Sequence, residues 1–157
     1  MELKQVPLRD VDQTVAEILR LIATCYRDVA KYATMPVGRF YDMVRNLPYR
    51  ADPKGNEFLQ RPSSSLNGWS QWRDCDDKAI LLGAYAKAAA IPYRIAIGGS
   101  KAVISKSGTV SYPFHHVWPE FKILGRWFPM DATYPKYSPY IYTQNYKALK
   151  FYYPNPS

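Results

Sequence analysis

Residues 72–94 read WRDCDDKAILLGAYAKAAAIPYR, and this stretch decides the fold. Asp74 is a residue type that accepts hydrogen bonds from the free N–H groups of a helix start, and Asp77 follows three positions on. The segment KAILLGAYAKAAAI is apolar on nearly every face, with Lys87 the main interruption, which is the pattern of a helix buried at the centre of a domain. Pro92 stops it. Cys75 then falls in the first turn, where unpaired N–H groups and the helix dipole favour a negative sulfur. Asp74, Asp76 and Asp77 work against that charge, so the helix end alone does not make the thiol acidic and a cationic partner is needed.

Beyond the helix the pattern changes to strands. YRIAI (93–97) is a short strand and GGSKAVISKSG (98–108) is a glycine-bounded excursion. TVSYPFHHVWPEFKILGRWFPMDATY (109–134) reads as two strands turning at Leu124-Gly125. A two-residue turn there puts Ile123 opposite Arg126 and Asp131 opposite Trp118. His116 shares a face with Trp118, so it becomes a diagonal neighbour of Asp131, while His115 points the other way. Pro119 and Pro129 are able to shift the register by one, which would exchange the two histidines. Adjacent strand residues face opposite sides, so His115 and His116 do not share an ion; neither a metal nor a cofactor is expected. A cysteine at a helix start facing a histidine held by a carboxylate is the arrangement nucleophilic acyl transfer requires.

Upstream, Val11, Val15, Ile18, Ile22, Tyr26 and Val29 recur at steps of three and four, predicting one helix from Arg9 to Ala33. A shorter helix is expected in VGRFYDMVRNL (37–47), with Phe40, Met43, Val44 and Leu47 inward and Pro48 ending it. Residues 48–70 carry proline, glycine, serine and asparagine without periodicity, and read as an irregular connection walling a cleft before Cys75.

The 157 residues suit one domain, and 47% hydrophobic content suits a globular core. No apolar run approaches the ~20 residues of a membrane span, and MELKQVPLRDVDQ lacks the signal-peptide pattern, so synthesis in the cytoplasm is expected, with incorporation in a virion a further possibility. Two cysteines without a CxxC pair indicate neither a stapled fold nor a zinc knuckle. The formal charge of +8 favours anionic surfaces such as an acidic wall polymer. The basic residues are scattered, as on a solvated face, so nucleic acid is not the expected partner. Seven of the 14 tyrosines fall after residue 133, and packing or assembly contact is expected of them over ligand stacking.

Together DCDDKAILLGAYAKAAAIPYR, HHVWPEF and GRWFPMDATY resemble the transglutaminase-like superfamily, whose pattern is a cysteine opening an Ala/Leu-rich helix, then a His-x-Trp strand, then a Trp-x-x-x-Asp strand. The resemblance covers roughly residues 48–135, with His116 following Cys75 by 41 positions and Asp131 following His116 by 15. It implies a papain-like α+β fold, the cysteine helix packed against an antiparallel sheet, flanked by N-terminal helices (1–47) and a Tyr-rich extension (136–157). It also implies Cys75 as nucleophile, His116 as general base and acid, and Asp131 as orienting carboxylate. Arg73 and Ala90 stand where the family usually has glycine. For a second oxyanion donor beside the Cys75 N–H, the candidates are Gln71, Trp72 and Trp69, and Trp118 is a further cleft residue. YRADPKGNEFLQRP is similar to phage- and prophage-encoded relatives. The expectation is a peptidase or amidase acting on a protein or peptide; the alternatives are a crosslinking transglutaminase and a non-catalytic module of a phage particle contacting other phage proteins.

Overall fold

The computed structural model describes residues 3–5, 11–51, 58–66, 73–133 and 146–155. In chain order the elements are β1 (Leu3–Gln5), α1 (Val11–Cys25), a 3₁₀ helix (Tyr26–Tyr32), α2 (Val37–Arg45), β2 (Phe58–Gln60), α3 (Pro62–Leu66) and α4 (Cys75–Ala88). There follow β3 (Tyr93–Gly99), β4 (Val103–Ile104), β5 (Val110–Ser111), β6 (His116–Ile123), β7 (Arg126–Pro129) and β8 (Ala148–Tyr152). The main sheet is antiparallel with strand order β7-β6-β3-β8.

Helix α4 is sandwiched between that sheet and the other helices. Eleven of its 14 residues are buried, which is why its sequence shows no polar stripe. Ile80, Leu81, Ala84 and Tyr85 share one core cluster with Ile95, Ile97, Val117 and Phe121 of the sheet and with Val15, Ile18, Ile22, Phe40 and Val44 of the helices. Each fully buried Leu or Ile there stabilises the fold by roughly 1.5–3 kcal/mol. The ring of Tyr85 stacks on Phe40 at 4.4 Å between centroids, and its hydroxyl donates to the Met35 carbonyl.

The start and end of α4 follow from single residues. Asp74 accepts from the N–H groups of Asp76 and Asp77, and the Asp77 carboxylate accepts from the Asp74 N–H, a reciprocal cap. Asp77 also receives the backbone N–H and side-chain amide of Gln60, which ties β2 to the helix start. At the exit, the N–H groups of Ala90 and Ile91 donate to the carbonyls of Lys87 and Ala86, and Ala90 sits at φ +58. That left-handed cap suits glycine, and an alanine bears the strain of its Cβ. Ala90→Gly is expected to raise stability by a few tenths to about 1 kcal/mol, read as a higher urea midpoint; an unchanged or lower midpoint would show that the strain is absent.

Three expectations are corrected. The first helix does not run to Ala33: α1 ends at Cys25 and the chain tightens into the 3₁₀ helix. In the last turn of α1 the Thr24 hydroxyl donates to the Arg20 carbonyl, a local competitor of regular helix. The 3₁₀ segment keeps Val29 buried and holds the Asp28 carboxylate against Nη2 and Nε of Arg61, at 2.7 and 2.8 Å. Arg9 and Asp10 lie outside the described residues. Second, the 48–70 connection is not wholly irregular, because it contains α3 and β2, the latter paired antiparallel with β1. Third, Lys87 is not the main interruption of the buried surface of α4: it is half-buried near the helix end, whereas Lys78 is 1% exposed within the core. The segment after Tyr146 supplies β8, an edge strand paired with β3. No helix among the described residues is long and apolar enough to cross a membrane.

Candidate active site

The β6–β7 hairpin turns at Leu124 (φ +52) and Gly125 (φ +78), the two positive-φ residues of a type I′ turn. Ile123 pairs with Arg126 and Glu120 with Pro129, and the Met130 N–H donates to the Pro119 carbonyl, so the register continues past the end of β7. Neither proline shifts it: Pro119 contributes only its carbonyl to this pairing, and Pro129 closes an edge strand. His116 and Asp131 consequently meet, with Nε2 of the ring 2.6 Å from Asp131 Oδ2. His115 instead reaches the Ser100 N–H and hydroxyl through its own Nε2, at 3.2 and 3.0 Å.

Asp131 is 1% exposed. Burial alone would raise its pKa, but the hydrogen bond and charge of His116 and two hydrogen bonds from Thr133 outweigh it and hold the carboxyl below the usual range. The Thr133 N–H and hydroxyl both donate to Oδ1, at 3.0 and 2.6 Å, which leaves Oδ2 for the imidazole. The Tyr41 hydroxyl donates to the Asp131 carbonyl at 2.6 Å. Sequence reasoning missed both supports. Thr133 had a local signal, a hydroxyl two residues after an aspartate in a turn. Tyr41 had none, being 90 residues away.

Trp118 is 1% exposed and packs against the imidazole, with ring centroids 5.6 Å apart, and it is not among the residues that line the cleft beside Cys75. Its indole N–H is committed to Glu120 Oε2 at 3.1 Å, so it is not an oxyanion donor. Glu120 is held in turn by Arg94 of β3 at 2.7 Å, and that guanidinium lies over the Phe151 ring of β8. The arginine after Ile-Pro thus reaches the histidine through Glu120 and Trp118. Gln71, Trp72 and Trp69 lie outside the described residues.

Half-buried Cys75 lies at the first helical position of α4 and lines one cleft of about 270 Å³ with His116, Asp74, Asp76, Phe114 and Val117. The capping box uses the N–H groups of Asp76 and Asp77, not that of Cys75. Burial, then the charges of Asp76 and Asp74, push the thiol well above its ordinary pKa, opposed by a backbone hydrogen bond from Val117 and reinforced by Asp131. These surroundings favour the thiol over the thiolate. Asp76→Asn removes a charge that raises this pKa, so the pH midpoint of Cys75 alkylation by iodoacetamide is expected to move down; an upward shift or none would contradict the electrostatics.

A helix bearing a cysteine on its first turn, packed against an antiparallel sheet that carries a His–Asp pair, defines the papain-like, transglutaminase-like class of α+β fold. The model of the transglutaminase-like superfamily matches residues 23–132, and the chain belongs to that superfamily of cysteine-dependent enzymes. A crystal structure from Cytophaga hutchinsonii, of a candidate cysteine protease, is similar at 23% identity and a TM-score of 0.41, over 82% of this chain and 45% of that one. This chain thus spans less than half the length of that neighbour. No curated protein matches.

Proposed function

We propose that the protein is a cysteine acyl-transfer enzyme that cleaves a carboxamide or peptide bond by hydrolysis. The observation that carries this reading is the 2.6 Å His116–Asp131 pair on the wall of the cleft that Cys75 also lines. Asp131 accepts from Nε2–H, which fixes the neutral tautomer with its lone pair on Nδ1. As the Cys75 sulfur bonds to the carbonyl carbon, its proton passes to Nδ1, and the developing oxyanion is met by the Cys75 N–H at the helix start. Collapse breaks the C–N bond, the imidazolium returns its proton to the amine, and a thioester remains. Water, deprotonated by the same imidazole, then attacks the thioester, and the thiol leaves with the proton. A raised thiol pKa fits this base-assisted route, in which the proton moves only when substrate is in place.

The test is mass spectrometry of protein incubated with glutamine peptides and cell-wall-derived peptides. An acyl adduct on Cys75 with release of the amine or ammonia supports the proposal. Incorporation of an added primary amine in place of water would turn it into crosslinking, and no adduct with any peptide would favour a non-catalytic module.

A further inference from the structure

Lys78 lies three positions after Cys75 in α4 and is 1% exposed. An ammonium carries three hydrogens, and each here meets a backbone carbonyl: Ala132 at 3.0 Å, Thr133 at 3.1 Å and Arg45 at 3.3 Å. No carboxylate is among these partners. Burying a charge in this way is costly, and an apolar side chain of similar length would fill the space without the cost. The three carbonyls indicate what the charge holds.

Two of them belong to the residues that follow Asp131, where β7 has already ended and no strand ladder fixes the chain. The third closes α2, whose last carbonyls lack helical partners and whose dipole favours a cation. Helix α2 also carries Tyr41, which binds the Asp131 carbonyl. Three consecutive carbonyls, of residues 131, 132 and 133, are thus tied to α2 and α4 by one hydroxyl and one ammonium. Burial first, and the charge of Arg73 second, bring the Lys78 pKa down to about 8, while the Asp131 charge opposes them.

We propose that Lys78 is a positioning residue, bracing the chain that carries Asp131 against the helix that carries Cys75 and so keeping His116 aligned with the sulfur. The inference rests on the roles proposed for those three residues. Lysine suits the task because its three donors diverge from one nitrogen, whereas the flat fork of arginine would not reach the same three carbonyls.

The test is Lys78→Met, which keeps length and loses the donors. Two quantities are read on the folded protein: the low-field proton resonance of the His116–Asp131 hydrogen bond, and the rate constant for Cys75 acetylation by p-nitrophenyl acetate. The expected result is loss or marked upfield movement of the resonance and at least a tenfold lower limiting rate, with half-saturation little changed. An unchanged resonance and rate beside a lower melting temperature would make Lys78 merely structural and overturn the proposal. If Lys78→Met does not fold, Lys78→Gln is judged by the same readouts; failure of both to fold would assign the residue to folding and equally overturn it. A resonance lost in the variant while wild-type Cys75 is never acylated would leave the brace standing and remove the proposed reaction instead.

Discussion

Asp131→Asn is expected to slow acylation of Cys75 by roughly 10²–10⁴-fold in a protein that still folds. The size of the effect follows from which oxygen is already taken. The Thr133 N–H and hydroxyl both donate to Oδ1, so an asparagine must keep its oxygen there and present its NH₂ group at the Oδ2 position, facing His116. That amide donates to Nε2, the ring proton is forced onto Nδ1, and the lone pair that would receive the thiol proton is gone. The substitution removes a tautomer more than it removes a charge. Adding Thr133→Val should return part of the rate, because one of the two donors that lock the amide is lost. The measurement is single-turnover acylation of Cys75; a near wild-type rate in Asp131→Asn would show that the carboxylate does not orient the ring.

Trp118→Ala is expected to cost about 3–5 kcal/mol, a large part of the roughly 5–15 kcal/mol that holds a domain of this kind folded. The indole is fully buried, stacks on His116 at 5.6 Å and on Tyr146 at 4.8 Å, and its N–H satisfies Glu120, itself 3% exposed. Truncation opens a cavity and withdraws a donor from a buried carboxylate in one step. Neighbouring Gly98 shows how closely the stack is fitted, since a Cβ there would lie 2.9 Å from Trp118 Cη2 and 2.5 Å from the Tyr146 ring. Trp118→Phe retains an aromatic surface and loses the hydrogen bond, so about 1–2 kcal/mol is expected of it. Urea denaturation reads both; a cost below about 1 kcal/mol for the alanine variant would mean the packing behind the histidine is loose.

Much of this arrangement was legible before any coordinates. Helix α4 announces its two ends through Asp74 and Pro92, and uniform apolarity says that it is central. The His116–Asp131 pair could be read because a two-residue Leu-Gly turn fixes antiparallel register, and register fixes which side chains share a face. The unread parts depend on contacts across long sequence separations. Tyr41 and Lys78 reach the Asp131 segment from other elements, and no local pattern marks a tyrosine or a lysine as the donor to a distant carbonyl. Lys78 was further concealed because a lysine in a helix is ordinarily a surface residue. Trp118 was placed on the correct face but given the wrong task, since facing direction is set by alternation whereas exposure depends on Tyr146, which the β8 segment brings in from the far end of the chain. The break between α1 and the 3₁₀ helix was masked by Val29, which stays buried in either geometry.

The central claim is that the Cys75 thiol reacts through His116, and its direct test is the rate of acetylation at each cysteine by p-nitrophenyl acetate in wild-type protein and in His116→Gln. Buried Cys25 serves as the internal reference. The account predicts that Cys75 is acetylated far faster than Cys25 in the wild type and at least about 100-fold more slowly in the variant, with Cys25 unchanged. Equal, slow acetylation of both cysteines, indifferent to His116, would contradict it.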